Sequence, residues 1–267
     1  MSRINVCPAC NADAHGVKSR IAFEHTCGKG ELNKEQFETI ANAIREQSAP
    51  EWQQADTGGY LLLRILFGDA QRYAMAYGVA IQTGLGKTFA AQRYANEGKN
   101  AFYVKCEEDM RLIDLLSAIA RAIGAMKFPN KVVDLQDKLI KLIECYEEPL
   151  IIFDDMHLLK MHVRGYAIRF YKKMINHLGI VVLGTDDLRN SIVEGARLNK
   201  EIASEIYNCI GRRFVTLGQL GPRDVELVCK ANGIAEADVI DDIKDLSKGS
   251  LHNTASLIKQ YKAEGRL

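Results

Sequence analysis

Between Tyr73 and Tyr94 the chain reads YAMAYGVAIQTGLGKTFAAQRY. An apolar run ends in Gly84-Leu85-Gly86-Lys87-Thr88 and then turns to a helical pattern with Phe89, Ala90, Ala91 and Tyr94. Glycines here let successive backbone N–H groups curl around a polyphosphate, and the N-terminus of the following helix adds partial positive charge. In such a loop Lys87 reaches the β- and γ-phosphates, and the Thr88 hydroxyl takes a coordination position on Mg²⁺. Thr83, Gly84, Leu85, Gly86, Lys87, Thr88 and Phe89 are therefore the expected contacts of a bound ATP. The full Walker A spacing asks for glycine at position 81, where this chain has Ile81, so the match is to the second half of the pattern. By itself Gly-x-Gly-Lys-Thr is as readily a helix start after a turn, with its lysine solvated.

A loop of this kind that hydrolyses ATP needs an acidic strand end downstream, and Leu150 to Asp155, LIIFDD, supplies one. Asp154 is placed to hold the Mg²⁺ water shell. Asp155 stands where a carboxylate polarises the attacking water, one methylene shorter than the glutamate more usual there. A further apolar run, IVVLG at 180–184, ends at Thr185, which is placed to orient that water. In an open α/β sheet ligands sit beyond the carboxyl ends of the strands, so Lys87, Asp154, Asp155 and Thr185 are expected to converge on one crevice.

The elements that must position these residues follow from periodicity. Strands are expected at the run ending in Ile81, at 99–105 (KNAFYVK), 150–155, 180–184 and 213–217 (RFVTL). Helical spacing appears at 33–47, 61–67, 110–123 and 135–145. Glu147-Glu148-Pro149 breaks the last of these before LIIFDD. Helix, short break and buried strand make the crossover of a parallel sheet. From Gly221-Pro222 onward, three short helical patterns at 224–231, 236–246 and 251–261 are broken by Gly233 and Gly249. Pro50 and Gly58-Gly59 mark 48–60 as a linker or turn. The expectation is an α/β fold: a P-loop core with a five-stranded parallel sheet over 61–218, a helical lid over 219–267, a helix and linker over 33–60, and a small segment over 1–32.

That first segment carries its own chemistry. Cys7-Pro8-Ala9-Cys10 is followed after fourteen residues by His25-Thr26-Cys27. Cys7, Cys10, His25 and Cys27 suit a tetrahedral structural Zn²⁺ that closes a knuckle too small for a core of its own; His15 is an alternative to His25. The bland reading is a chance CxxC and a surface histidine. The chain has seven cysteines, an odd number, and a disulfide framework is not expected at this size without a secretion signal. No apolar run approaches the roughly 18–20 residues that cross a bilayer, which points to a cytoplasmic protein with no membrane partner. Net charge is +1, so any nucleic-acid surface must be a local patch.

The order of GLGKT, LIIFDD, IVVLGTDD, Gly211-Arg212-Arg213-Phe214 and a C-terminal helical segment resembles the AAA+ ATPases, with Walker A, Walker B, sensor 1, arginine finger and lid. Within them the chain is most similar to the transposition ATPases, the group typified by the phage Mu B protein and the target selectors of Tn7-like elements. The resemblance covers roughly Leu61 to Gln260 and leaves out the cysteine segment. It implies an ATP-dependent homo-oligomer, a ring or helical filament on duplex DNA, that recruits or activates a transposase. It also implies an arginine supplied by the neighbouring subunit, with Arg213 the first candidate and Arg212 the second; such a finger neutralises charge that develops on the phosphates and makes hydrolysis conditional on assembly. His252 stands where the sensor 2 arginine of the lid usually sits. With Ile81 and Asp155, that departure implies slow turnover.

Two segments carry local positive charge suited to phosphate contact: Lys105 with Arg111, and Arg169, Lys172 and Lys173 on the helix after the acidic pair. Family position favours the first. A solvated polar face is the bland alternative for each. A different class of function remains open, a nucleotide-dependent protein-interaction module similar to STAND or secretion-linked AAA+ proteins; a helicase-loader-like ATPase is a third. Stimulation of ATP turnover by duplex DNA separates them.

Overall fold

A computed structural model of the protein describes residues 52–210 and 214–264. The chain divides into two units, Met1–Trp52 and Gln53–Leu267, and every element below belongs to the second. Helix α1 (Gly58–Arg72) leads into β1 (Ala76–Ile81), followed by α2 (Lys87–Glu97), β2 (Ala101–Lys105), α3 (Leu112–Ala122), α4 (Val132–Ile143) and β3 (Leu150–Asp154). After a 3-10 turn (Met156–Leu158) come α5 (Met161–Lys172), β4 (Gly179–Gly184), α6 (Asp186–Arg197), α7 (Glu201–Cys209) and β5 (Phe214–Leu217). Helices α8 (Pro222–Ala231), α9 (Ala237–Ser247) and α10 (Leu251–Ala263) complete the described chain.

The five strands form one parallel sheet in the order β2-β3-β4-β1-β5. β4 therefore lies between β1 and β3. Every residue of β3 and β4 is buried. That explains why both read as unbroken apolar runs: a sheet covered on both faces has no solvent side to alternate with. Within β3 the period of two still sorts side chains. Ile151 and Phe153 enter a core with Leu116, Leu139, Val163 and Ile192 of α3 to α6. Leu150 and Ile152 enter the opposite core with Leu63, Phe67, Ala90 and Ala91 of α1 and α2. Fully burying side chains of this size stabilises the fold by about 1.5–3 kcal/mol each.

Helix α1 comes closest to the sheet at Gly179. A Cβ there would lie 2.1 Å from the carbonyl oxygen of Ala70. Only glycine lets β4 begin directly under the helix.

Several boundaries differ from expectation for identifiable reasons. Gly58-Gly59, read as a turn, is the first turn of α1. Thr57 Oγ1 accepts from the Tyr60 N–H at 3.3 Å, and Asp224 Oδ1 accepts from the Gly58 N–H at 2.9 Å. First-turn amides that lack an intrahelical acceptor thereby gain partners. Helix α3 begins at 112 rather than 110, because the Asp114 carboxylate accepts from the backbone N–H of Arg111 at 2.9 Å and makes Arg111 the cap. β3 stops at Asp154, since Asp155 turns left-handed (φ 54°, ψ 37°), a conformation that aspartate tolerates better than most residues.

The three C-terminal helices bury Val225, Val228, Cys229, Ile240, Ile243, Ile258 and Tyr261. The segment before α1 is fastened to this bundle: the Asn232 amide accepts from the Gln53 N–H and donates to the Gln53 carbonyl, each at 3.0 Å.

Candidate functional site

The register brings the carboxyl ends of β1, β3 and β4 to one edge, with Ala80 opposite Gly184 and Lys105 opposite Asp154. From that edge β1 passes into a loop in which Gly84 and Gly86 have φ of +85° and +79°. Residues with side chains are strained there, and the alternation turns backbone N–H groups inward. Ile81, at the place of the missing Walker glycine, is the last residue of β1 and is buried, so this position serves the sheet core. Lys87 opens α2 and is 8% exposed, unusual burial for a lysine. Leu85 packs on the core beneath the loop, whereas Thr83 and Phe89 are exposed at its two ends.

The start of α10 packs against this loop. The backbone N–H of His252 donates to the Gly84 carbonyl at 3.2 Å. A Cβ at Gly86 would stand 2.8 Å from Leu251 Cδ2, and one at Gly84 would stand 3.2 Å from Ser250 Oγ and 3.6 Å from His252 Cβ. His252, the expected sensor 2 position, thus lies beside the phosphate loop with its side chain exposed.

Across the crevice, Asp154 is 0% exposed. Its Oδ2 accepts from the Thr88 hydroxyl at 2.7 Å and from the Tyr103 hydroxyl at 3.0 Å, and its Oδ1 accepts from the Asp155 N–H at 3.0 Å. All three donors are neutral. Lys87 Nζ instead lies 3.5 Å from Asp155 Oδ1. A carboxylate taken fully out of water and satisfied only by neutral donors keeps a strong demand for a cation. Asp154 with Thr88 Oγ1 offers the two hard oxygen ligands with which a protein holds Mg²⁺, the remainder coming from phosphates and water. The donor set therefore fits Mg²⁺–ATP.

Among the described residues, the side-chain polar atoms buried without a hydrogen-bond partner are His157 Nδ1 and Thr185 Oγ1. His157 Nδ1 is 4.0 Å from Asp155 Oδ1, and Thr185, directly after β4, is the N-cap of α6. Each of these atoms is free to bind a polar group that enters. Arg164 fixes the turn that carries His157. It donates to the carbonyls of His157 (2.5 Å) and Leu159 (2.6 Å) and to Ser191 Oγ on α6 (3.0 Å), and burial holds its pKa below the usual arginine value. The same desolvation, reinforced by Asp154 and Asp155, drives the neighbouring Cys106 thiol far up and keeps it protonated.

Tyr103, His157 and Arg164 were not anticipated. His157 lies two residues beyond Asp155, so its nearness to the acidic pair along the chain was the signal that could have found it. Tyr103 carried no such signal, because its reach depends on strand register. Burial, then the Asp154 charge, pushes its phenol well above the usual tyrosine range, so it remains a donor.

The candidate basic residues differ in how they are engaged. Arg111 is engaged by Asp114 at 2.9 Å. Arg169 and Lys172 both pair with Glu205 of α7 at 3.0 Å. Lys105 and Lys173 are exposed. Arg212, Arg213, Cys7, Cys10, His15, His25 and Cys27 lie outside the described residues. Among the described residues, no group of three or more His, Cys, Asp or Glu side chains could hold a metal ion, and no helix is long and apolar enough to cross a membrane.

No curated protein matches the chain. Two variants of RuvB from Thermotoga maritima superpose with a TM-score of 0.46 each, at 14% and 15% identity, over 76% and 77% of this chain and 60% of each of those chains. The chain thus spans 60% of the length of those RuvB chains. A structure of Drosophila ORC bound to AT-rich DNA and Cdc6 gives a TM-score of 0.47 at 11% identity, over 76% of this chain and 36% of that one. Residues 77–192, which carry Lys87, Thr88, Asp154, Asp155 and Thr185, match the model of a family described as an AAA domain.

Proposed function

We propose that the chain is an AAA+ ATPase that binds Mg²⁺–ATP at this crevice and hydrolyses it slowly, in a homo-oligomeric ring or filament on duplex DNA that recruits or activates a transposase. The observation that carries the nucleotide site is the meeting of Lys87 with Asp155 and of Thr88 with Asp154, partners 66 or more residues apart in sequence. The loop amides and Lys87 hold the phosphates. Asp155, released from Lys87 as the lysine turns to the phosphates, becomes free to accept a proton from water, with Thr185 orienting that water. Mg²⁺, held through Thr88 and Asp154, supplies charge neutralisation on the phosphates. Arg213, or Arg212, of a neighbouring copy completes the site and makes turnover depend on assembly.

The DNA and transposase parts of this reading are supported by the order of sequence motifs, and Lys105 and Lys173 are its exposed cations without an ion pair among the described residues. A test is ATP turnover with and without duplex DNA: stimulation that falls steeply with salt is expected. Indifference of turnover and sedimentation to DNA would leave the ATPase but remove this assembly. One observation favours the second reading, an interaction module without DNA: Arg111, Arg169 and Lys172 are already neutralised by carboxylates. In either reading Cys7, Cys10, His25 and Cys27 bind Zn²⁺ as a structural knuckle. Metal content that does not drop in Cys7→Ser and Cys10→Ser variants would remove it.

A further inference from the structure

We propose that Tyr103 is a positioning residue for the divalent cation, fixing the Asp154 carboxylate through its phenolic hydroxyl; the proposal rests on the Mg²⁺–nucleotide reading of this site. Tyr103 lies on β2 opposite Ile152 of β3. Paired residues project to the same face, and Asp154, two residues beyond Ile152, shares that face with them. Tyr103 and Ile152 both pack with the α1 and α2 core, the side from which Thr88 approaches. The ring therefore leans along the strand, and its hydroxyl meets Asp154 Oδ2 at 3.0 Å.

The three donors to Asp154 differ in what they are attached to. Thr88 belongs to the first turn of the phosphate-loop helix, and its hydroxyl must share itself with a cation. The Asp155 N–H belongs to a residue that leaves the strand in a left-handed turn. Tyr103 sits inside a strand paired with β3 along its whole length. It is the donor whose position does not depend on the loop or the turn. Held at Oδ2 by Tyr103 and at Oδ1 by the Asp155 N–H, the carboxylate cannot rotate about its last torsion. The carboxylate is thus oriented, with Oδ2 toward Thr88, before the cation arrives, and such outer-shell partners typically govern about 10–100-fold in metal affinity.

The test is ATP binding by titration calorimetry, across a Mg²⁺ series and in EDTA, for the full chain and for Tyr103→Phe. The control is Tyr77→Phe, which removes a phenol bonded, among the described residues, to Met75 Sδ. The expected result is an unchanged ATP affinity in EDTA and about a tenfold rise in the Mg²⁺ concentration at half effect, for Tyr103→Phe and not for the control. A Mg²⁺ dependence equal to that of the unaltered chain would overturn the proposal and leave the nucleotide site standing. An equal loss of affinity with and without Mg²⁺ would also overturn it, since Tyr103 would then act on the loop. An unaltered chain that fails to bind ATP, or binds it without regard to Mg²⁺, would remove the reading of the site and the proposal together.

Discussion

The Thr88 hydroxyl donates a 2.7 Å hydrogen bond to Asp154 Oδ2 across 66 residues of sequence. Their meeting requires β4 to sit between the strands that carry them and requires α2 to start at the sheet edge, so this one contact reports the topology and the chemistry together. Beside it, Lys87 pairs with Asp155 at 3.5 Å. The residue proposed to bind phosphate and the residue proposed to activate water thus hold each other, and on that proposal nucleotide separates them.

Replacing Asp155 with asparagine is expected to lower ATP turnover about 100-fold or more, since general-base assistance contributes roughly 10²–10⁴-fold. ATP affinity should hold or rise, because Lys87 is no longer paired. Turnover and calorimetry on the same preparation check both halves. A fall in affinity with turnover per bound ATP intact would assign Asp155 to binding instead.

Gly86→Ala places a Cβ at φ +79° and 2.8 Å from Leu251 Cδ2. The left-handed conformation costs a non-glycine residue roughly 1–2 kcal/mol, and the Leu251 side chain can turn aside, so the variant should fold. Its ATP affinity should drop by about tenfold, as loop amides shift and the lid is displaced. Chemical denaturation beside nucleotide titration separates the two effects.

How far the sequence spoke depended on whether a feature was local. The phosphate loop, the acidic pair and the five strands could be read, because each is a short run whose residue types follow from its own backbone and burial. Tyr103 could not be read, since its partner is set by the β2–β3 register, a tertiary fact. The left-handed turn at Asp155 also escaped, because a continuing DD pair looks like more strand. Gly58-Gly59 was misread because the cap that makes it helical involves Asp224, far away in sequence. The cations Arg169 and Lys172 looked available until α7 brought Glu205 to them.

Glu205 gives a pH-dependent prediction. Burial alone would raise its pKa, but hydrogen bonds from Lys172 and Arg169 outweigh burial and hold it below the usual glutamate value. A group depressed in the folded state contributes stability above its unfolded pKa and loses it as pH falls through the folded one. Glu205→Gln should therefore be less stable near neutrality by roughly 0.5–1 kcal/mol, with the difference vanishing in acid below the glutamate range. Urea titrations across pH check this. The same variant frees two cations on α5; if that face meets DNA, affinity should rise at low salt and the gain should fade as salt screens it.

Lys87 and the Asp154 edge are proposed to serve one triphosphate. Calorimetric titration of ATP with Mg²⁺ into the full chain and into Lys87→Ala decides it. The prediction is measurable binding by the unaltered chain, tightened by Mg²⁺, and at least a tenfold loss for Lys87→Ala with the fold intact by circular dichroism. Equal affinity for the two proteins would contradict it.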